Sequence, residues 1–146
     1  MSARGLSAQG LSAGAHFAMP LRVRYAECDM QGRVFNGHYL TWIDMAHAEA
    51  LRTFAGGYPG LIDRGIDLVV AAAELQFRAP AHFDDELVVG VHLEPPGRTS
   101  LRSRFQIHRG EDLIAEATMV HVCVDAAGYR KQEWPDWFRE LLAAHS

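Results

Sequence analysis

Hydrophobic and polar positions change their period along the chain, and the changes mark out elements. From Met19 to Tyr25, "MPLRVRY" sets Leu21, Val23 and Tyr25 against Arg22 and Arg24, a period of two that predicts a strand. Between Gly37 and Phe54 the period lengthens. Tyr39, Ile43, Ala46, Ala50 and Phe54 recur at spacings of three and four with no proline among them, which predicts one amphipathic helix. Ala46, Ala48 and Ala50 keep that helix slim, so it can lie close against a sheet. "GGYPG", residues 56–60, ends it.

From there to the last ten or so residues the pattern reads as strand and turn. "IDLVVAAAELQFRAP" predicts a long strand stopped at Pro80, and "DELVVGVHLE" places Leu87, Val89, Val91 and Leu93 on one face. "LRSRFQIHR" alternates most clearly: Leu101, Phe105 and Ile107 oppose Arg102, Arg104, Gln106 and His108. A tight turn at "RGED" leads into "LIAEATMVHVCVD", apolar on both faces toward its end and so expected to be central in the sheet. "PDWFRELLAA" predicts a short terminal helix with Pro135 in its first turn. One long helix against about five antiparallel strands is an α+β layer arrangement, and the helix's broad apolar stripe requires the sheet to curl around it.

A chain of 146 residues is most simply one domain with a real core. The division expected is a flexible N-terminal tail over residues 1–18, small, polar and free of acids, followed by one domain over 19–146. The net charge of -4 argues against a general nucleic-acid binder, because phosphate neutralisation requires a surplus of Lys and Arg. No apolar run reaches the length of a membrane span. Cys28 and Cys123 stand far apart with no CxxC pairing and read as reduced thiols, which gives a cytoplasmic expectation. The eight histidines show no spacing typical of zinc, so no metal is expected.

The chemistry concentrates in "YAECDMQGRVFNGHYLTWID", residues 25–44. Asp29 lies in a loop with Gly32 as its turn residue, and the loop runs straight into the long helix. Asn36 suits the N-cap of that helix. A helix N-terminus carries unpaired N–H donors and partial positive charge, so it can stabilise an oxyanion, while a nearby carboxylate can activate water or attack as a nucleophile. Alternatively, Asp29 simply accepts backbone N–H bonds and closes its own turn. His38 is a first-turn histidine, exposed or orienting a substrate. Tyr39 belongs to the apolar stripe. Cys28 as a nucleophile would need a base that no spacing here provides, and packing suits it better.

Asp29, Gly32, Val34, Asn36 and Tyr39 resemble the D-x-x-G-x-V-x-N-x-x-Y element of the hotdog-fold acyl-CoA thioesterases of the 4-hydroxybenzoyl-CoA thioesterase type. The likeness continues through "YLTWIDMAHAEAL", "QFRAPAHFDDELVV", "GRTSLRSRFQI" and "ATMVHVCVD". The resemblance implies a helix wrapped by an antiparallel sheet, a homodimer or homotetramer with continuous sheets, and active sites between subunits. It places the catalytic carboxylate on Asp29 and the carbonyl-polarising backbone N–H on Asn36. Gly32, Phe35, Gly37, His38 and Tyr39 then line the substrate site. Arg98 and Ser100 in "PPGRTS" fall where relatives meet the CoA nucleotide or pantetheine arm, with Arg130 and Lys131 a second basic candidate. No cofactor is implied, since coenzyme A is part of the substrate, and an acyl carrier protein could present the same arm.

The chain departs from its relatives at Arg33, Phe35, Asp44 and His47, which bears on substrate identity more than on reaction type; Phe35 makes the pocket mouth more apolar. Two rivals stand beside the hydrolase. A hotdog dehydratase acting on 3-hydroxyacyl thioesters would use His47 or His38 with Glu49. A non-catalytic module would bind acyl thioesters only.

Overall fold

The computed structural model describes residues 14–145, and its architecture is the α+β hotdog arrangement. Five antiparallel strands, β1 (Ala15–Arg22), β2 (Ile66–Phe77), β3 (Glu86–Leu93), β4 (Ser100–Arg109) and β5 (Asp112–Asp125), form one sheet in the order β1-β3-β4-β5-β2. Three helices join it: α1 (Asn36–Ala55), α2 (Gly57–Asp63) and α3 (Asp136–Ala143). A 3₁₀ turn at Tyr25–Glu27 follows β1.

The helical stripe on α1 is buried as its period requires: Tyr39, Ile43, Ala46, Ala50 and Phe54 all face the core, joined by Trp42, His47 and Leu51. The inward sets of Leu87, Val89, Val91 and Leu93 on β3 and of Leu101, Phe105 and Ile107 on β4 meet them. β5 pairs with β4 on one side and β2 on the other, so it is interior. Gly110, at φ +60, makes the β4–β5 turn that an L side chain would strain.

Three expectations require correction. β1 begins at Ala15, so residues 15–18 are strand rather than tail; residues 1–13 lie outside the described residues. Pairing with β3, from Ala15 opposite Leu93 to Arg22 opposite Glu86, overrides the weak propensity of "AHFA". Tyr25, expected at the strand's end, sits in the 3₁₀ turn and is 80% exposed. "GGYPG" does more than end α1: Gly56, at φ +79, reverses the chain directly into α2, where Pro59 is tolerated in the first turn and Leu61 is buried.

β2 is an edge strand with an apolar inner face that one chain does not cover. A bulge between Val70 and Ala72 keeps Val70, Ala73, Leu75 and Phe77 on the inner side, paired with His121, Met119, Ala117 and Ala115. Nevertheless Val70 is 52% and Phe77 49% exposed. A groove runs between this face and α1, lined by Leu40, Thr41, Asp44, Val70, Ala73 and Met119.

Candidate active site

The loop from Cys28 to Val34 is a small hairpin standing on the start of α1. Its base is closed by Phe35 N–H donating to the Glu27 carbonyl at 3.0 Å, and Cys28 bridges Val34. One step further out, Asp29 N–H donates to the Arg33 carbonyl at 2.8 Å, and Gly32 N–H donates back to the Asp29 carbonyl at 3.0 Å. Gly32 takes φ +77 there, which is why a glycine suits the turn. Asp29 thus lies two ladder positions beyond the Glu27–Phe35 pair, about 7 Å at ordinary strand rise.

The Asp29 carboxylate is half engaged. Oδ1 accepts Gln31 N–H at 2.8 Å and Arg33 N–H at 3.3 Å, whereas Oδ2 has no partner among the described residues. The turn-closing role considered for this acid is therefore real, and it leaves one oxygen open to solvent.

The N-cap expectation moves by one residue. Phe35 is the cap, extended at φ -65 and ψ 138, and Asn36 is the first helical residue. The reason is the ladder: bonds from Val34 N–H to Ala81 and from Phe35 N–H to Glu27 hold the chain extended through Phe35. No side chain caps α1. His38 N–H donates to the Phe35 carbonyl at 3.0 Å, while the amides of Asn36 and Gly37 meet no acceptor among the described residues. Two donors at the positive end of a twenty-residue helix are left for a ligand.

The remaining residues divide by place. Phe35 is 59% exposed and packs edge-on against His38, centroids 6.0 Å apart. A Cβ on Gly37 would come within 3.1 Å of the Phe35 ring, so the glycine leaves room for that ring over the helix end. Tyr39 is buried; its hydroxyl accepts Ala81 N–H at 3.3 Å, and its ring lies 5.3 Å from that of Phe77. Burial pushes its pKa up. Cys28 is partly buried, and burial raises its thiol too.

Arg98 and Ser100 are not brought to this loop within one chain. They lie at the start of β4, whereas the loop reaches the opposite end, where Arg33 bridges His82 and Arg109 binds Pro80 and Asp85. Ten residues of strand separate the two ends, about 30 Å. Arg98 pairs at 3.3 Å with the exposed Glu133. Arg130 and Lys131 are exposed near the β5 end.

A residue unmarked in the sequence reading stands beneath the hairpin. Glu27 is only 4% exposed; its Oε1 accepts Arg24 N–H at 2.8 Å, and its Oε2 accepts Trp42 Nε1–H at 2.9 Å and the Arg24 guanidinium at 3.1 Å. Burial pushes its pKa up, but bonds from the Arg24 side chain and amide and from Trp42 outweigh it and hold the carboxyl below the usual carboxylate range. The available signals were Arg24 three residues earlier and an indole on the core stripe needing an acceptor.

The histidine–acid pairing that a dehydratase would draw from α1 is not formed by His47 and Glu49. His47 is fully buried, stacked on His121 with centroids 4.0 Å apart and bonded through Nδ1 to the Tyr58 hydroxyl at 3.2 Å. Glu49 instead faces Arg52 at 3.3 Å. Among the described residues no three His, Cys, Asp or Glu side chains gather as metal ligands, and no helix is long and apolar enough to cross a membrane.

A curled sheet around one helix, with an acid-bearing hairpin at that helix's uncapped end, defines a hotdog protein of the thioester-hydrolase type. Residues 23–142 match the family profile of the thioesterase-like superfamily, and the chain belongs to that family. It is 29% identical over 120 residues to the Escherichia coli acyl-CoA thioester hydrolase YbgC, covering 82% of this chain and 90% of the relative. A Thermus thermophilus protein of known structure superposes with TM-score 0.81 at 27% identity, covering 88% of this chain and 98% of the other. The 1,4-dihydroxy-2-naphthoyl-CoA thioesterase of Synechocystis shares the fold at TM-score 0.78 and 23% identity, covering 86% and 94% of the two chains.

Proposed function

We propose that the protein is an acyl-CoA thioesterase, splitting a thioester into a free acid and coenzyme A. The observation that carries this is the pair of unengaged amides at Asn36 and Gly37, set beside a hairpin whose acid has one oxygen tied down and one free. A thioester carbonyl seated at the helix end would accept from Asn36 N–H. Asp29 Oδ2 takes a proton from water as its oxygen bonds to the carbonyl carbon, and the amides hold the resulting oxyanion. Collapse breaks the C–S bond and releases the thiol, which takes the proton. Direct attack by Oδ2, giving an anhydride that water then opens, uses the same atoms; the tethered Oδ1 favours the base role.

A second copy of the chain completes the site in this reading. The uncovered inner face of β2 supports it, because a twelve-residue edge strand with Val70 and Phe77 half exposed calls for a partner strand. Arg98, Ser100, Arg130 and Lys131 become candidates for the phosphate-bearing arm once another chain is beside the loop. An acyl carrier protein could offer that same arm. Exposed Phe35, and Phe77 against Tyr39, favour an apolar or aromatic acyl group. Localisation to the cytoplasm agrees with two free cysteines.

Asp29→Asn and Asp29→Ala test the assignment against a panel of aromatic and straight-chain acyl-CoAs, following thiol release. Hydrolysis is expected to fall by at least 10²-fold with acyl-CoA binding retained. Wild-type turnover in Asp29→Asn refutes the role of Asp29, and binding without turnover by the wild type makes the protein a binding module.

A further inference from the structure

We propose that Glu27 is the positioning residue of this site, setting the height of the Asp29 hairpin over the N-terminus of α1. The inference rests on the thioesterase reading of Asp29 and Asn36 and adds to it the group that holds them in register. Glu27 grips both sides of the junction. Its main-chain carbonyl takes Phe35 N–H at 3.0 Å, the last bond before the free amides begin. Its side chain reaches Trp42, two turns up α1, at 2.9 Å, and binds back to the amide and guanidinium of Arg24 at 2.8 and 3.1 Å. Asp29 follows two residues later on a ladder with no slack: Cys28 bridges Val34 and Asp29 N–H holds the Arg33 carbonyl.

Stability alone is a poor reason for this carboxylate. Buried ion pairs are often neutral or worse against well-packed apolar groups of the same size. What a carboxylate supplies that no apolar side chain can is a fixed distance between the 3₁₀ turn and the Trp42 indole, with Oε1 on the Arg24 amide and Oε2 shared by the indole and the Arg24 guanidinium. Glutamine cannot reproduce it, because its amide nitrogen would face either the Arg24 N–H or the indole N–H, donor against donor. Aspartate is one methylene short of spanning both. Because reaction geometry tolerates little displacement, a shift of about 1 Å in the hairpin can cost on the order of 10²-fold in turnover.

The experiment compares Glu27→Gln, Trp42→Phe and their double variant with wild type and Asp29→Asn, using the acyl-CoA turned over best by the wild type. Glu27→Gln and Trp42→Phe are each expected to lower kcat by ten- to a hundredfold with KM within about threefold, while thermal unfolding stays cooperative. The double variant is expected to be no slower than the worse single, since both act through one contact. Arg24→Gln, altering an exposed guanidinium, is expected to keep the fold and to lower kcat by a few fold. A merely structural role would shift melting and leave kcat per folded molecule unchanged. Wild-type kcat in folded Glu27→Gln or, should that variant not fold, in Arg24→Gln and Trp42→Phe overturns the proposal. Loss in Asp29→Asn beside such results leaves the thioesterase reading standing; full activity in Asp29→Asn sinks that reading instead.

Discussion

Acid should weaken this fold well before its carboxylates titrate, through the stacked pair His47 and His121. The rings lie 4.0 Å apart and 10° from parallel in the core, facing Tyr58 of α2 and Phe105 of β4. His47 Nε2 and both nitrogens of His121 are buried without partners among the described residues. Burial, then the neighbouring His121, pushes the pKa of His47 down from 6.5 to about 3, and burial pushes that of His121 down to about 4. Both folded-state values lie below the unfolded one, so unfolding takes up protons as pH falls through about 6.5, and stability is lost on the acid side. Between pH 8 and pH 5, with the slope approaching about 1.36 kcal/mol per pH unit only once the unfolded imidazole is fully protonated, each ring contributes about 2 kcal/mol and the two about 4 kcal/mol. Set against a typical domain stability of about 5–15 kcal/mol, that is a large fraction. His108, lowered by burial, adds in the same direction. Urea unfolding followed by circular dichroism at pH 8, 7, 6 and 5, at one protein concentration, measures it. His121→Phe should flatten the dependence by about half. A midpoint constant from pH 7 to pH 5, or an undiminished slope in His121→Phe, would refute the argument.

Two further outcomes follow from single contacts. Tyr39→Phe removes the acceptor of the buried Ala81 N–H and should lower stability by about 1–3 kcal/mol, read as a fall in melting temperature; an unchanged melt would show that this bond is replaced. In the oligomer proposed above, Val70→Lys places a charge on the half-exposed inner face of the edge strand and should shift the protein toward monomer in light scattering after size exclusion, with loss of turnover. An oligomer of wild-type mass in that variant would move the proposed subunit contact away from β2, and a monomeric wild type would remove it.

How much of this was legible in the sequence depended on whether side chains or backbone carried the information. Tyr39, Ile43, Ala46, Ala50 and Phe54 announced α1 because one wet face and one dry face impose the helical period, and all five are buried. Leu101, Phe105 and Ile107 announced the inner face of β4 for the same reason. The helix Gly57–Asp63 stayed hidden, since Gly56 at φ +79 and Pro59 read as a stop when they in fact start a new turn. At the candidate site the spacing of Asp29, Gly32 and Asn36 locates the hairpin and helix end, yet the donors proposed for the oxyanion are amides, and any residue but proline supplies one. Their freedom comes from Phe35 standing as an uncapped N-cap, which depends on ladder bonds to Glu27 and on the neighbouring bond from Val34 N–H to Ala81. Glu27 carries no signal in the sequence beyond Arg24 three residues before it. The positioning role proposed for it emerges only where Trp42, fifteen residues on, turns its indole N–H toward the same carboxylate. Periodicity therefore reveals which faces are dry, whereas the reach of a buried acid between two elements emerges only from their packing.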